Sequence, residues 1–381
     1  MSEEVIINKV ANETDKIKFI KFPWKIYKNN PNWVPPLIFD VRNNLDTKKN
    51  PFFQHSRMEL YLAYKGTEIV GRIAAIANDN HNKFQEDKVG FWGYFECIND
   101  KEVSKSLFDS AKEFLLSQGL DTMRGPISPS TNDEIGLLIN AFDKPPVMLM
   151  TYNPEYYIDL IEDYGFSKVK DLYAYNVDAD ITKDKKTMDK LERVSQIVLR
   201  REKLTIRKLN LQDLENEIKI VQEIYNKAWI KNWGFVPMTD EEFQHLAKSI
   251  KAVIDKDFVY IAEFDGKPVA FSLAVPDYNQ VFIKMNGKLF PFGIFKMLFN
   301  KKKINYIRLI TLGVIHEYQK KGTEAVFILN TIKEGVRKGM KGAEISWILE
   351  DNAPMVATAE NLNAERYKSY RLYDKSINDN K

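Results

Sequence analysis

The chain has 381 residues, with Lys+Arg 56 against Asp+Glu 53 and a formal charge of +3 at pH 7. That length admits two or three domains, and 44% hydrophobic with 29% charged residues excludes a largely disordered chain. The near balance of charge excludes a nucleic-acid binder working by bulk electrostatics, so no DNA partner is expected, and a single cysteine, Cys97, excludes an internal disulfide.

The opening run MSEEVIINKV is acidic and lacks the basic start and apolar core of a secretory signal. No stretch reaches the ~20 apolar residues of a membrane span. The nearest, residues 289–299, is broken by Pro291, Gly293 and Lys296. A cytoplasmic location is the expectation. Residues 58–64 and 69–77 read as adjacent strands around Lys65-Gly66-Thr67, and residues 89–97 as a third, aromatic-rich strand. Leu107, Phe108, Ala111, Phe114 and Leu115 then stripe one face of a helix that ends near Gly119. Residues 120–124 form a short strand stopped by Gly125-Pro126, Pro154 opens a helix, and residues 172–177 are a last strand.

Residues 181–202 are highly charged and read as a linker helix, with the boundary near 180. The order of elements then repeats. Residues 204–208 are a strand, and Leu214, Ile218, Val221, Tyr225 and Ala228 stripe a helix. Residues 258–264 and 269–275 form a hairpin around Asp265-Gly266. A strand over 304–314, a helix carrying Ala325, Ile328, Leu329, Ile332 and Val336, and a strand over 343–349 follow. Asp351 or Asn352 caps a helix with Pro354 in its first turn, and residues 367–373 close with a strand. The alternation argues for an α/β (α+β) fold with a mixed sheet, built twice: residues 1–180 and 203–381.

Some chemistry is missing. His55, His81, His245 and His316 are scattered, so no metal site is expected, and no nucleophile elbow or common nucleotide loop occurs. The informative stretch is residues 306–325, YIRLITLGVIHEYQKKGTEA. A strand runs into a short polar loop that feeds a helix, whose first N–H groups lack helical acceptors and favour an anion. Lys320 and Lys321 add positive charge, and Gly322 lets a ligand come close to the backbone. The pattern is a phosphate cradle; a plain strand–loop–helix with a solvated lysine pair fits it as well.

These residues resemble the GNAT N-acetyltransferase superfamily, in which a bulged strand leads to a Gln/Arg-x-x-Gly-x-Gly/Ala loop holding the pyrophosphate of acetyl-CoA. Gln319 and Gly322 match; Glu324 stands at the next glycine position, with Ala325 after it. The run AEISWILEDN, residues 343–352, resembles the family's fifth strand and the asparagine opening the next helix. The resemblance implies two tandem GNAT-like domains and an acyl-CoA site in the second. Leu312, Gly313 and Val314 would bind the pantetheine arm, and Gln319, Lys320, Lys321, Gly322, Thr323, Glu324, Ala325 and Asn352 would complete the site. The family's tyrosine acid falls near Ala359 and is missing. Tyr367, Tyr370 and Tyr373 lie in or beside the closing strand, where they fit core packing equally well.

The first half resembles the fold more weakly and lacks the glycine loop, so acetyl-CoA or another acyl-CoA is expected once per chain. Trp229, Trp233 and Phe235 flank the family's acceptor cleft and either line it or pack the core. The same choice holds for Trp24 and Trp33. The implied reaction is transfer of an acyl group to a small-molecule or peptide amine by direct attack, with Glu350 or Glu344 as base. A non-catalytic acyl-CoA-binding or scaffold protein and a Fem-like aminoacyl or peptidyl transferase are the alternatives. Residues 287–303, a cluster of large apolar residues joined to a lysine run, read as a membrane-surface patch, as an apolar lid over an acyl chain or the cleft, or as a segment buried against the first domain. Shelter is the expectation, with the membrane reading ranked below it.

Overall fold

A computed structural model describes residues 3–201, 203–290 and 293–378. In chain order its strands are β1 (Val5–Lys9), β2 (Ser56–Lys65), β3 (Glu68–Asn78), β4 (Val89–Cys97), β5 (Thr122–Gly125), β6 (Ile127–Ser128), β7 (Glu134–Ile135), β8 (Leu137–Leu138), β9 (Ser167–Asp178), β10 (Leu204–Lys208), β11 (Val259–Phe264), β12 (Lys267–Pro276), β13 (Tyr306–Val314), β14 (Gly342–Leu349) and β15 (Glu365–Ser376). The chain packs as two compact units. One takes the chain up to Asp171, Phe282–Leu298 and the chain from Lys368 onward; the other takes Leu172–Val281 and Phe299–Tyr367.

In the first unit the order is β1-β2-β3-β4-β5-β15, antiparallel throughout except for the parallel pair β4 and β5. The helix Lys101–Ser117 explains that parallel step, because a parallel neighbour needs a crossover. Asp100 caps it, accepting from the amides of Glu102 and Val103, and Val103, Leu107, Phe108, Ala111, Phe114 and Leu115 are buried along its inner face. Phe108 stacks on Phe95 at 4.9 Å and meets Trp92 edge-on at 5.1 Å. In the second unit the order is β10-β11-β12-β13-β14-β9, with β13 and β14 the parallel pair. The helix Thr323–Arg337 makes that crossover and buries Val326, Phe327, Ile328 and Leu329. Both units thus show one plan.

The closing strand of each unit comes from the other half of the sequence. Lys368 onward lies in the first unit, pairing from Tyr373↔Gly125 to Ser376↔Thr122. Leu172–Asp178 lies in the second, pairing from Gly342↔Asp178 to Leu349↔Leu172. The compact units are therefore not the contiguous stretches 1–180 and 203–381. A strand's own alternation says which face is buried and nothing about which edge it joins. The short strands β6–β8 have no counterpart in the sequence reading, since two-residue pairings leave no periodicity.

The expectation that the protein itself shelters residues 289–299 is overturned. Phe290, Phe295, Leu298 and Phe299 are all exposed; Pro291 and Phe292 lie outside the described residues. Only one side of the helix Gly293–Asn300 packs, and Gly293 is its buried residue.

A buried carboxylate in the first unit gives a pH-dependent stability. Glu96 accepts a 2.7 Å hydrogen bond from Tyr157 and lies 3.7 Å from Arg72. Burial nonetheless pushes its carboxyl up to about 7, against the pull of Arg72. Through that window the folded chain holds a proton that the unfolded chain releases. The contribution of Glu96 to stability is therefore largest in acid and falls as pH rises towards 7, by on the order of 3 kcal/mol. Urea midpoints measured from about pH 5 to about pH 7.5 should decline, and Glu96→Gln should flatten the decline; an unchanged slope would assign it to other groups.

Candidate functional site

The site starts where two parallel strands separate. β13 and β14 pair only from Tyr306↔Gly342 to Leu309↔Ile345, although they continue to Val314 and Leu349. Meanwhile β13 stays paired with β12 out to Ala270↔Val314, with a register shift that leaves Ile310 as the extra residue opposite Leu273 and Ala274. A bulge bends and twists its strand, and here it turns Leu312, Gly313 and Val314 away from Trp347, Ile348 and Leu349. Among the described residues, the β14-facing edge of β13 has no strand partner beyond Leu309. Beside it, the buried hydroxyls of Thr311 and Ser272 find no protein partner.

The end of β13 leads to the loop singled out in the sequence. Lys320 and Gly322 are in the left-handed region, with φ of 60° and 89°. The Gln319 side chain turns back on the strand: its amide donates to the Val314 carbonyl at 3.0 Å and its Oε1 lies 3.2 Å from His316 Nδ1. The Lys321 ammonium sits over the rings of Tyr318 and Phe264, 5.1 and 5.7 Å from their centroids. Thr323 is buried, and burial raises the Glu324 carboxyl above its ordinary range. A Cβ on residue 322 would lie 2.9 Å from Val198 and 3.6 Å from Val194. The helix Lys185–Arg201 thus packs on the loop. In the sequence its charged residues mask the apolar stripe Leu191, Val194, Val198.

Below the opening lies a polar cluster that the sequence reading identified only in part. Arg308 and Glu344 are register partners, 1% and 0% exposed. The Arg308 guanidinium donates to the hydroxyl and carbonyl of Ser346 at 2.9 and 3.2 Å and lies 4.8 Å above the Trp347 ring. The Ser346 hydroxyl and the Tyr367 phenol both donate to the Glu344 carboxylate. Glu344 is therefore enclosed by partners, whereas Tyr367 is half-buried. Tyr370 and Tyr373 are core residues. Glu350 is half-buried in the turn after β14, and Asn352 caps the next helix by accepting from the Met355 amide at 3.3 Å. An arginine inside the apolar run YIRLITLGV was the available signal for this cluster, because a buried guanidinium demands a carboxylate on a neighbouring strand.

The aromatic candidates separate. Trp229 stacks on Tyr225 at 4.7 Å and lies 2.1 Å from where a Cβ on residue 313 would be, so its indole packs directly on the backbone of β13. Phe235 is buried, its ring 5.6 Å from that of Tyr225, and Trp233 is half-buried. In the first unit, Trp24 and Trp33 pack edge to face at 5.1 Å, with Tyr27 stacked on Trp33 at 4.7 Å.

The equivalent opening in the first unit is filled. β4 and β5 pair only from Val89↔Thr122 to Phe91↔Arg124. Beyond that point the Tyr94 amide donates to the Ser128 hydroxyl at 2.8 Å, and a Cβ on Gly93 would lie 1.8 Å from the Ile127 carbonyl oxygen. The following helix starts under the Asp100 carboxylate, which also receives Lys65 at 2.7 Å. No histidine, cysteine or carboxylate cluster able to hold a metal occurs among the described residues.

No family model matches the chain. Among solved structures, the chain is similar to a tandem GNAT protein from the clavulanic acid biosynthesis pathway, at TM-score 0.58 and 12% identity over 99% of this chain and 100% of that one. It is also similar to a GCN5-related glucosamine N-acetyltransferase region of a fungal multi-domain β-N-acetylglucosaminidase, at TM-score 0.60 and 15% identity over 98% and 38%. The fold is that of the GNAT proteins. Two full-length relatives are nearer in sequence. Protein YghO of Escherichia coli K12 is 37% identical over 387 aligned residues, covering 99% of this chain and 97% of that protein. The bacterial ceramide synthase of Caulobacter vibrioides is 34% identical, covering 94% of each. The chain belongs to the family that contains YghO and this ceramide synthase.

Proposed function

We propose that the chain is an acyl-CoA-dependent N-acyltransferase whose acceptor is a long-chain amino alcohol, with one acyl-CoA site, in the second unit. The observation that carries the reading is the parting of β13 from β14 directly before the loop and helix at Gly322. The free edge at Leu312, Gly313 and Val314 suits an amide-bearing arm, and the first-turn amides at Thr323 and Glu324 suit a pyrophosphate. The unpartnered Thr311 hydroxyl beside that edge offers a further hydrogen bond. The filled opening of the first unit supports a single site. The acceptor class rests on the relative named a ceramide synthase, since a ceramide is the N-acyl amide of a long-chain amino alcohol.

In the proposed reaction the amine nitrogen attacks the thioester carbonyl, a C–N bond forms, and the C–S bond breaks. The nitrogen loses a proton and the thiolate gains one. N–H groups on the free edge of β13 polarise the carbonyl. Glu350 takes the amine proton, Tyr367 supplies the thiolate proton in place of the missing helix tyrosine, and Glu344 positions Tyr367. One observation favours a non-catalytic acyl-CoA-binding protein: Ala359 stands near the position of the family's acid tyrosine, which is missing.

Free thiol and amide product decide between the two. Acetyl-, octanoyl- and palmitoyl-CoA, each with sphinganine or ethanolamine, should give thiol release that depends on sphinganine, with the amide seen by mass spectrometry. Binding of the acyl-CoA without thiol release under any pairing would establish the non-catalytic reading.

A further inference from the structure

We propose that the helix Gly293–Asn300 and the lysines around it form a docking surface for an anionic lipid bilayer. The helix has two unlike sides. Gly293 is buried, with Ile294 and Met297 partly so. Phe295, Leu298 and Phe299, at i, i+3 and i+4, form one stripe and are 54%, 61% and 77% exposed; Phe290, just before the helix, is 70% exposed. Isolated exposed apolar residues need no explanation, but four large ones on one short segment do.

The charge around the stripe identifies what covers it. Between Asp277 and Glu317 the sequence contains no carboxylate, while Lys284, Lys288, Lys296, Lys301, Lys302 and Lys303 all lie in that interval. Lys301, Lys302 and Lys303 are exposed and immediately follow Phe299. A protein partner with a purely apolar groove would gain nothing from these lysines. A bilayer with anionic headgroups takes both the phenylalanines, below the headgroups, and the ammoniums, at their level. No described helix is long and apolar enough to cross a membrane, so the surface lies on the bilayer.

The segment leading into the helix is firmly held. Trp24 Nε1 donates to Asn286 at 2.7 Å, the Ile38 amide donates to the Gly287 carbonyl at 3.0 Å, and Met285 is buried. The Lys296 ammonium donates to the Lys284 carbonyl at 2.7 Å, tying the helix to that segment. The stripe is thus presented on an ordered support. The inference stands on this helix and its charge and is read without acyl transfer, so it succeeds or fails separately from the proposed reaction.

Co-sedimentation with vesicles tests it, using phosphatidylcholine alone and phosphatidylcholine mixed with phosphatidylglycerol. The wild-type chain is expected to pellet with the mixed vesicles, and more salt should weaken binding. The variant Phe295→Ser/Leu298→Ser/Phe299→Ser should bind roughly tenfold or more weakly while keeping its circular dichroism and melting temperature. Lys301→Ala/Lys302→Ala/Lys303→Ala should lose the preference for phosphatidylglycerol. Failure of the wild-type chain to bind either vesicle, or equal binding by the serine variant, would overturn the proposal. So would a wild-type dimer, seen by analytical ultracentrifugation, that becomes monomeric in the serine variant without any vesicle binding. That result would assign the stripe to a second copy of the chain.

Discussion

Replacing Glu344 by alanine is expected to destabilise the chain by about 3–5 kcal/mol. Glu344 is fully buried and accepts from both Tyr367 and Ser346, and Ser346 in turn accepts from the buried Arg308. Removing the carboxylate takes the negative charge from the register partner of the buried Arg308 and breaks the hydrogen bonds that Ser346 and Tyr367 donate to it. Glu344→Gln keeps an acceptor and the side-chain volume, so it should cost less and remain folded. The Gln variant is also the informative one for function. If Glu344 positions Tyr367, thiol release should fall with little change in acyl-CoA affinity, and its pH profile should shift because the phenol has lost a charged neighbour. Urea unfolding of the full chain measures the first effect. A cost for Glu344→Ala below about 1 kcal/mol would mean that the cluster is hydrated and that Arg308 is not relying on it.

The second large effect is expected at Gly322. Gly322→Asp should weaken acyl-CoA binding by about a hundredfold or more, measured by calorimetry, because it sets a carboxylate at the helix start where a pyrophosphate must accept N–H bonds. The substitution also carries a structural cost. At φ of 89° any side chain is strained, and its Cβ meets Val198 at 2.9 Å. Val198→Ala in the Gly322→Asp background separates the two effects. It should recover part of the lost stability and none of the affinity. Asn99→Asp, beside the carboxylate-capped helix start of the first unit, should leave affinity nearly unchanged. Undiminished binding by Gly322→Asp would show that the loop is only a connection.

Much of the fold was legible because periodicity reports burial directly. The strand Val89–Cys97, the strand Leu204–Lys208 and the helix Leu214–Trp229 follow the sequence reading to within a residue, since in each the apolar spacing is uninterrupted and ends at a turn residue or cap. The site was legible at its loop, where glycine, lysines and a helix start coincide, and illegible at its polar cluster. Arg308 and Glu344 are 36 positions apart, and only the register of β13 against β14 makes them neighbours.

The features legible in the sequence are local: two runs of strand, helix and strand, a helix cap at Asp351 or Asn352, and the Gln319–Gly322 loop after a strand. These depend on residues within a turn or two of one another, so composition and spacing carry them. Pairing and exposure, by contrast, are settled by long-range packing. Leu172–Asp178 pairs in the second unit and the chain from Lys368 in the first, Ile127 and Ser128 fill the first unit's opening, Val194 and Val198 cover the Gly322 loop, and Phe295, Leu298 and Phe299 face outward. Each is a choice among partners far apart in the chain, and a side chain's hydrophobicity sets how much it gains from being covered without naming what covers it.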